Sequence, residues 1–160
     1  MKVLITGSNG LLGQKLVHKL RIDESVELIA TSKGKNRISE KIGYNYILLD
    51  VTKKEELEKV ILSEKPDVII NTAAMTNVDA CEDEKQECDA LNIDAVKYLV
   101  DISEQIDAHL IHSITKDYEM GFLVKELLKL FKRKLSPSIS WVSVLDGAEN
   151  VKCGTKISEL

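Results

Sequence analysis

Three glycines near the amino terminus have the spacing of a phosphate-binding turn. They follow an apolar run, KVLIT, and they precede apolar residues that recur at helical spacing. In such a strand–turn–helix unit the first glycine permits a tight turn and the second lets the backbone approach a pyrophosphate, while the third allows close helix–strand packing. The helix start then offers free N–H groups to the phosphates. The pattern predicts dinucleotide binding by Gly7, Ser8, Asn9, Gly10, Leu11, Leu12 and Gly13, with a purely structural glycine turn as the alternative.

The residues after the second predicted strand indicate which dinucleotide is preferred. An NAD-selective site commonly has an acid about 20 residues after the glycines, where it holds the ribose 2′-hydroxyl. This chain has Ser32 and Lys33 there, with Lys35 and Arg37 nearby and no acid. A hydroxyl among cations favours a 2′-phosphate, so NADP(H) is predicted over NAD(H). The alternative is that these basic residues form only a solvated loop.

Length and composition exclude several classes of protein. The chain has 160 residues, of which 44% are hydrophobic and 30% charged, and its net charge is −4. These values are typical of one soluble globular domain, and the mild acidity argues against a nucleic-acid binder. No apolar run approaches the roughly 20 residues of a membrane span, and the first residues lack the pattern of a secretion signal. We therefore expect a cytoplasmic protein without membrane or nucleic-acid partners.

Cysteine and histidine placement gives no metal site. The three cysteines, Cys81, Cys88 and Cys153, are odd in number and lack CxxC spacing, so a disulfide or a zinc site is not expected. His109 and His112 lie three apart on a predicted strand, so they face opposite sides of the sheet and cannot share a metal ion.

Alternating apolar runs and amphipathic stretches predict a parallel sheet with crossover helices. Helices are predicted after the glycine turn, at 55–65 and through a longer region from 81 to 100. The five predicted strands are Lys2 to Thr6, Val26 to Thr31, Tyr46 to Val51, Asp67 to Asn71 and His109 to Ser113. The fold class is therefore α/β, a Rossmann-like doubly wound parallel sheet.

The chain changes character near Ser113. Residues 1–112 carry a net charge of −6 and form the predicted NAD(P)-binding region, whereas residues 113–160 carry +2. In this short carboxyl-terminal segment we predict an amphipathic helix at 119–134 and a strand at 139–145, followed by a weakly structured tail.

Four motifs, which span residues 1 to about 112, are TGSNGLLGQKLV, LLDVT, PDVIINTAAMTNVDACE and LNIDAVKYLV. Together they resemble the extended short-chain dehydrogenase/reductase family, and most closely its dTDP-4-dehydrorhamnose reductase group. The resemblance implies that Asp50 and Val51 flank the adenine and that Asn71, Ala73 and Ala74 line the cofactor. It also implies that Thr76 lies near the nicotinamide and the substrate mouth. Asp50 directly precedes a predicted helix, so a capping role is an equal alternative.

The resemblance ends at the catalytic pair. In this family the Tyr of a Tyr-x-x-x-Lys pair donates a proton to the carbonyl oxygen, and the Lys lowers the pKa of that Tyr and holds the ribose. None of the four tyrosines of this sequence has a Lys four residues later. Ser113, Thr115 and Tyr118 echo the expected catalytic segment only weakly. Alternatively, residues 114–160 resemble the carboxyl-terminal part of the same reductases, with the middle of the family pattern absent.

Two functions follow from these observations. The first is NADPH-dependent reduction of the C4 ketone of a nucleotide-linked deoxysugar, as in rhamnose biosynthesis. The second is a non-catalytic NADP-binding regulatory or interaction subunit. A half-sheet without its usual covering would expose apolar surface, so self-association into a homo-oligomer or docking on a partner subunit is expected.

Overall fold

The computed structural model describes residues 1–114, 140–144 and 151–154. Its strands are β1 (Lys2–Thr6), β2 (Glu27–Ser32), β3 (Asn45–Leu48), β4 (Val68–Asn71), β5 (His109–Ile114), β6 (Ser140–Val144) and β7 (Val151–Gly154). Its helices are α1 (Leu11–Leu20), α2 (Lys54–Glu64), α3 (Val78–Asp83), α4 (Lys85–Asp89) and α5 (Ala95–Gln105), with a π-helical stretch at Ala90–Asp94. Among the described residues, no helix is long and apolar enough to cross a membrane.

The strands form one sheet in the order β3-β2-β1-β4-β5-β6-β7. Strands β1 to β6 pair in parallel, and β7 pairs antiparallel with β6. The chain runs outward from β1 to β3 and then crosses back to place β4 on the other side of β1. The direction of winding therefore changes between β1 and β4, which is where open α/β sheets bind their ligands. The predicted α/β, Rossmann-like fold is confirmed.

Each face of the sheet is covered by helices, and this explains the continuous apolar strands. On one face Val3 and Ile5 pack with the apolar side of α1. On the other face Leu4 and Ile69 pack with residues of α2 and α5, among them Leu99. Neighbouring residues of a strand point to opposite faces, so β1 contributes to both cores at once.

The last two strands differ in part from the sequence-based expectation. The strand predicted at 139–145 corresponds to β6 at Ser140–Val144. Within the segment predicted as a tail, Val151–Gly154 forms β7, because pairing with β6 supplies the backbone hydrogen bonds of this short strand. The helix predicted at 119–134 lies outside the described residues.

The region predicted as one long helix from 81 to 100 is broken into pieces. Glu84, between α3 and α4, has φ −116° and ψ 49°, which interrupts the helical path. This break brings Cys81 and Cys88 together, and the two are joined by a disulfide with a Cα–Cα distance of 5.2 Å. The expectation of no disulfide is therefore wrong. Sequence spacing could not reveal the pair, because its approach depends on the break at Glu84.

Truncation of the core beneath the sheet should be costly. Leu99 is fully buried on α5, so Leu99→Ala should lower the free energy of unfolding by about 2–5 kcal/mol through lost burial and a residual cavity. Leu62→Ala on α2 is the control, because Leu62 is 38% exposed and should cost less than about 1 kcal/mol. Urea unfolding of both variants measures the difference, and equal losses would contradict the packing described here.

Candidate functional site

A groove of about 250 Å³ lies at the carboxyl ends of the parallel strands, across the change in winding direction between β1 and β4. Its lining combines backbone of the glycine turn with small or apolar side chains and two polar residues at the end of β2. The lining residues are Gly7, Gly10, Ser32, Lys33, Leu49, Val51, Thr72, Ala73, Ala74 and Leu91. Seven of these ten lining residues belong to the fifteen cofactor residues predicted from the sequence.

The glycine turn is seated tightly against the end of β4. Gly7 has φ +68°, and a Cβ there would lie 2.6 Å from the backbone nitrogen of Ala73. A Cβ on Gly13 would lie 2.4 Å from the carbonyl oxygen of Gly7, so α1 can approach the turn only with glycine at this position. The two positions fix the turn between the strand end and the helix. A side chain at either one would push α1 or the segment after β4 aside.

The start of α1 opens towards the groove. Gly10 is the N-cap residue and makes no side-chain capping bond, and the first turn of α1 contains no acidic residue. The N–H groups of Leu11, Leu12 and Gly13 occupy the first turn, where a helix has no internal acceptors for them. Leu11 is exposed and Leu12 is buried. The helix therefore presents unpaired donors and a partial positive charge, which suits an anionic group.

Ser8 and Asn9, between the first two glycines, have different surroundings. Ser8 is fully buried, and its backbone N–H donates to the carbonyl oxygen of Thr31 at 2.9 Å. The Asn9 side chain reaches the loop after β2, where its Nδ2 donates to the carbonyl oxygen of Lys35 at 2.9 Å and its Oδ1 accepts from the N–H of Arg37 at 2.8 Å. The sequence placed Asn9 in the turn but gave no sign of this second contact.

Asp50, just after β3, faces the end of β2. Its Oδ2 lies 3.3 Å from the Nζ of Lys33, and its Oδ1 accepts from the N–H and hydroxyl of Thr52. Burial alone would raise the pKa of Asp50, but the Thr52 hydrogen bonds and the Lys33 ammonium outweigh burial and lower it. The helix-cap alternative is wrong, because α2 begins at Lys54 and its N-cap is Lys53. Asp50 instead forms a turn with Thr52 and an ion pair across the groove rim.

Two apolar residues of the lining, Leu49 and Leu91, are absent from the predicted set. Leu49 follows β3 and is 1% exposed, and Leu91 belongs to the π-helical stretch and packs against the core. In the sequence both lie in apolar patterns typical of core residues, so no local signal separates them from the core. With Val51 they give this end of the groove an apolar wall, which suits a flat aromatic ring.

A buried polar network lies at the ends of β1, β4 and β5. Asn71 Oδ1 accepts from the hydroxyl of Thr6 and from the N–H of Ala73, so its Nδ2 faces Nδ1 of His112 at 2.9 Å. His112 must therefore accept at Nδ1 and carry its proton on Nε2. Burial lowers the pKa of His112 to about 4, so the ring is neutral near neutral pH. Asn71 thus orients the backbone of Ala73 through this hydrogen bond, but Asn71 itself does not line the groove.

The segment after β4 is held at both ends. Thr72 Oγ1 donates to the carbonyl oxygen of Thr6 at 2.6 Å. Three residues later, Met75 exchanges two hydrogen bonds with the side-chain amide of Asn92, each 2.9 Å long. Ala73 and Ala74 lie between these anchors and line the groove, whereas Thr76 is exposed beyond them and does not. Asn92 lies in the π-helical stretch, a departure from α-helix that is often found at functional sites.

The weak catalytic candidates Ser113, Thr115 and Tyr118 stay predictions, because the structure describes only the backbone of the first of them. The backbone of Ser113 lies in β5 and pairs with Val142 of β6. Thr115 and Tyr118 lie outside the described residues. In the part of the chain that the structure describes, no group of three or more His, Cys, Asp or Glu residues could hold a metal ion.

The family model of the RmlD substrate binding domain matches residues 1–118. This chain belongs to that family. The dTDP-4-dehydrorhamnose reductase of Aggregatibacter actinomycetemcomitans is 33% identical to it over 117 residues, which are 73% of this chain and 35% of that protein. The corresponding protein of Burkholderia thailandensis is 30% identical over 118 residues, which are 74% of this chain and 34% of that protein. The resemblance predicted from the motifs is confirmed, and the chain spans about a third of the length of these curated relatives.

Solved structures show the same architecture. A hypothetical dTDP-4-dehydrorhamnose reductase from Sulfolobus tokodaii matches with a TM-score of 0.60 at 34% identity, covering 82% of this chain and 51% of that one. A dTDP-4-dehydrorhamnose reductase from Bacillus anthracis, solved in complex with NADP, matches with a TM-score of 0.53 at 24% identity, covering 70% of this chain and 35% of that one. The second likeness, below 25% identity, supports the fold alone.

The buried neutral His112 should make the protein less stable in mild acid. Its folded pKa of about 4 lies below the ordinary value of 6.5, so only the unfolded chain takes up the proton as the pH falls below 6.5. Between pH 7 and pH 5 this linkage should remove about 2 kcal/mol from the free energy of unfolding. His112→Asn keeps an acceptor for Asn71 and should lose this part of the pH dependence, which urea unfolding at both pH values measures.

His18→Asn is the matched control, because His18 is exposed on α1. The control should keep the pH dependence of the wild type. If His112→Asn also kept it, the assignment of a buried, neutral imidazole would be wrong.

Proposed function

We propose that this chain binds NADP(H) in the groove and acts as the cofactor-binding part of a reductase. The proposed reaction is reduction of the C4 ketone of a nucleotide-linked deoxysugar. The observation that carries the proposal is the glycine turn. Gly7 and Gly13 have no room for a side chain, and the uncapped start of α1 opens towards a groove where the winding of the sheet changes direction. This combination is the general arrangement for dinucleotide phosphates.

The roles of the remaining residues follow from their places around the groove. The first turn of α1 would hold the pyrophosphate, and Val51 and Leu49 would cover the adenine, with Asp50 at its edge. Ala73 and Ala74 leave room beside the backbone at the other end, where the nicotinamide would lie, and Thr76 would stand at the substrate mouth. The bound cofactor supplies the hydride. The Asn71 network keeps the floor of that end rigid and uncharged.

A preference for NADP(H) over NAD(H) is supported by the basic residues at and after the end of β2, which we call the rim. Ser32 and Lys33 line the groove, and Lys35 and Arg37 are exposed on the loop that follows them. No acid stands at the end of β2 to hold a ribose 2′-hydroxyl. The carboxylate of Asp50, which faces the end of β2, is paired with Lys33. A 2′-phosphate would meet cations at this rim.

The reductase hypothesis is favoured over the regulatory-subunit alternative by the relatives. Two dTDP-4-dehydrorhamnose reductases match about three quarters of this chain. The 160 residues contain no Tyr-x-x-x-Lys pair to supply the proton for the catalytic step. Ser113, Thr115 and Tyr118 remain candidates for the catalytic hydroxyl. We place the protein within the extended short-chain dehydrogenase/reductase family, as a cytoplasmic homo-oligomer or partner subunit in sugar-nucleotide metabolism such as rhamnose biosynthesis.

Removal of the rim charges tests the cofactor preference. The double variant Lys35→Ala/Arg37→Ala should weaken NADPH binding about 10- to 100-fold, because the 2′-phosphate loses its cations, and should change NADH binding less than about threefold. Titration of each nucleotide with fluorescence detection gives both dissociation constants. An equal loss for NADPH and NADH would show that the charges act on the shared pyrophosphate, and a wild-type protein that binds neither nucleotide would refute the function itself.

Turnover separates binding from catalysis. With NADPH and dTDP-4-dehydrorhamnose, the 160-residue chain should bind cofactor but reduce the ketone about 10²- to 10⁴-fold more slowly than a reductase with a placed general acid. The physical reason is that the developing alkoxide lacks its proton donor. NADPH consumption and product analysis measure the rate. A rate equal to that of a complete reductase would mean that another hydroxyl, with Tyr118 the first to mutate, replaces the missing pair.

A further inference from the structure

We propose that Asn9 is a positioning residue for cofactor selectivity, because it ties the glycine turn to the basic loop formed by residues 33–37. This inference rests on the proposed NADP(H) function. Asn9 belongs to the turn, yet both polar atoms of its side chain bond to backbone of the loop. Nδ2 donates to the carbonyl oxygen of Lys35 at 2.9 Å, and Oδ1 accepts from the N–H of Arg37 at 2.8 Å. One amide therefore fixes the backbone on both sides of Asn36.

The basic loop is also fixed from the side of the sheet. Ile38, which follows it directly, is only 5% exposed and packs in the core beside α1. The hydroxyl of Tyr46, on β3, donates to the carbonyl oxygen of Gly34 at 2.7 Å and lies 3.4 Å from Nδ2 of Asn9. Asn9 and Tyr46 thus both hold the backbone of the loop, while the side chains of Lys35 and Arg37 remain exposed.

The charges that the loop displays are available to an anion. Lys33 is 82% exposed and is already paired with Asp50. Lys35 and Arg37 form no ion pair with any residue that the structure describes. These two cations flank the backbone that Asn9 holds, so loss of Asn9 would let them move away from the groove. Fixing a charged loop in advance removes much of the ordering cost of binding.

Asn9 is in turn held in the glycine turn. Gln14, on α1, donates from Nε2 to the carbonyl oxygen of Asn9 at 2.8 Å. The residue therefore links two places where phosphates of NADP(H) would bind, the start of α1 and the rim. Its side chain supports only the rim. The side-chain contacts of Asn9 should consequently affect the affinity for a nucleotide with a 2′-phosphate and hardly affect one without it.

The experiment compares NADPH and NADH binding in four proteins, with fluorescence titration as the measurement. Asn9→Ala should raise the Kd for NADPH about tenfold and that for NADH less than threefold. Tyr46→Phe, which releases the same loop from the sheet side, should shift the ratio in the same direction. Gln14→Ala is the matched control, because it removes a bond to the turn without touching the basic loop, and its NADPH-to-NADH ratio should equal that of the wild type.

A pH series adds a readout that a general loss of structure would not reproduce. The second pKa of a phosphate monoester is about 6, so the wild-type preference for NADPH should fall between pH 8 and pH 5 as the 2′-phosphate loses one charge. In Asn9→Ala this slope should be flatter, because the cations are no longer held against the phosphate.

The outcomes separate this inference from the proposed function. If the wild type binds neither nucleotide, the proposed function fails. If the wild type prefers NADPH and Lys35→Ala/Arg37→Ala abolishes the preference while Asn9→Ala and Tyr46→Phe leave it intact, only the role of Asn9 is overturned. Equal weakening of NADPH and NADH in Asn9→Ala would likewise overturn it, since Asn9 would then serve the turn alone.

Discussion

The close approach of the glycine turn to the end of β4 is the constraint on which the rest of the site depends. A Cβ at Gly7 would come within 2.6 Å of the backbone of Ala73, so the turn and the strand end share a space that admits no side chain. Because the turn lies there, α1 starts at the groove. The same contact determines where the backbone of Ala73 and Ala74 lies along the groove. One steric fit therefore places both the uncapped start of α1 and the backbone of Ala73 and Ala74 at the groove.

Charge is divided across the groove in a way that suits a dinucleotide. The end of β2 and the loop after it carry Lys33, Lys35 and Arg37, of which Lys33 is paired with Asp50. The buried network at the ends of β4 and β5 is polar but neutral, since burial keeps His112 uncharged and Asn71 donates to its ring nitrogen. A dinucleotide bound as proposed would have its 2′-phosphate on the basic side, and its nicotinamide would meet no fixed charge on the other side. Because burial lowers the pKa of His112 in the folded protein, this neutral network also makes the free energy of unfolding depend on pH.

The segment after β4 depends on a second layer of support. Asn92 exchanges two hydrogen bonds with the backbone of Met75, and the disulfide between Cys81 and Cys88 lies directly behind this pair. Nδ2 of Asn92 also lies 3.3 Å from the sulfur of Cys88. The π-helical stretch that carries Asn92 also carries Leu91, which lines the groove. The π-helical stretch thus positions both Asn92, which holds the backbone of Met75, and Leu91, which forms part of the apolar wall of the groove.

The sequence by itself determined the features that depend on local pattern. Glycine spacing after an apolar strand specified the turn, and alternating apolar runs specified five parallel strands in an α/β fold, because strand and helix periodicity are properties of neighbouring residues. The motif series also specified the family. Only the tertiary structure decided features that join distant residues: the pairing of Lys33 with Asp50, the reach of Asn9 to Lys35 and Arg37, and the disulfide across the break at Glu84. It also decided that Val151–Gly154 is a strand, because an edge segment acquires its hydrogen bonds from a neighbour that its own sequence does not name.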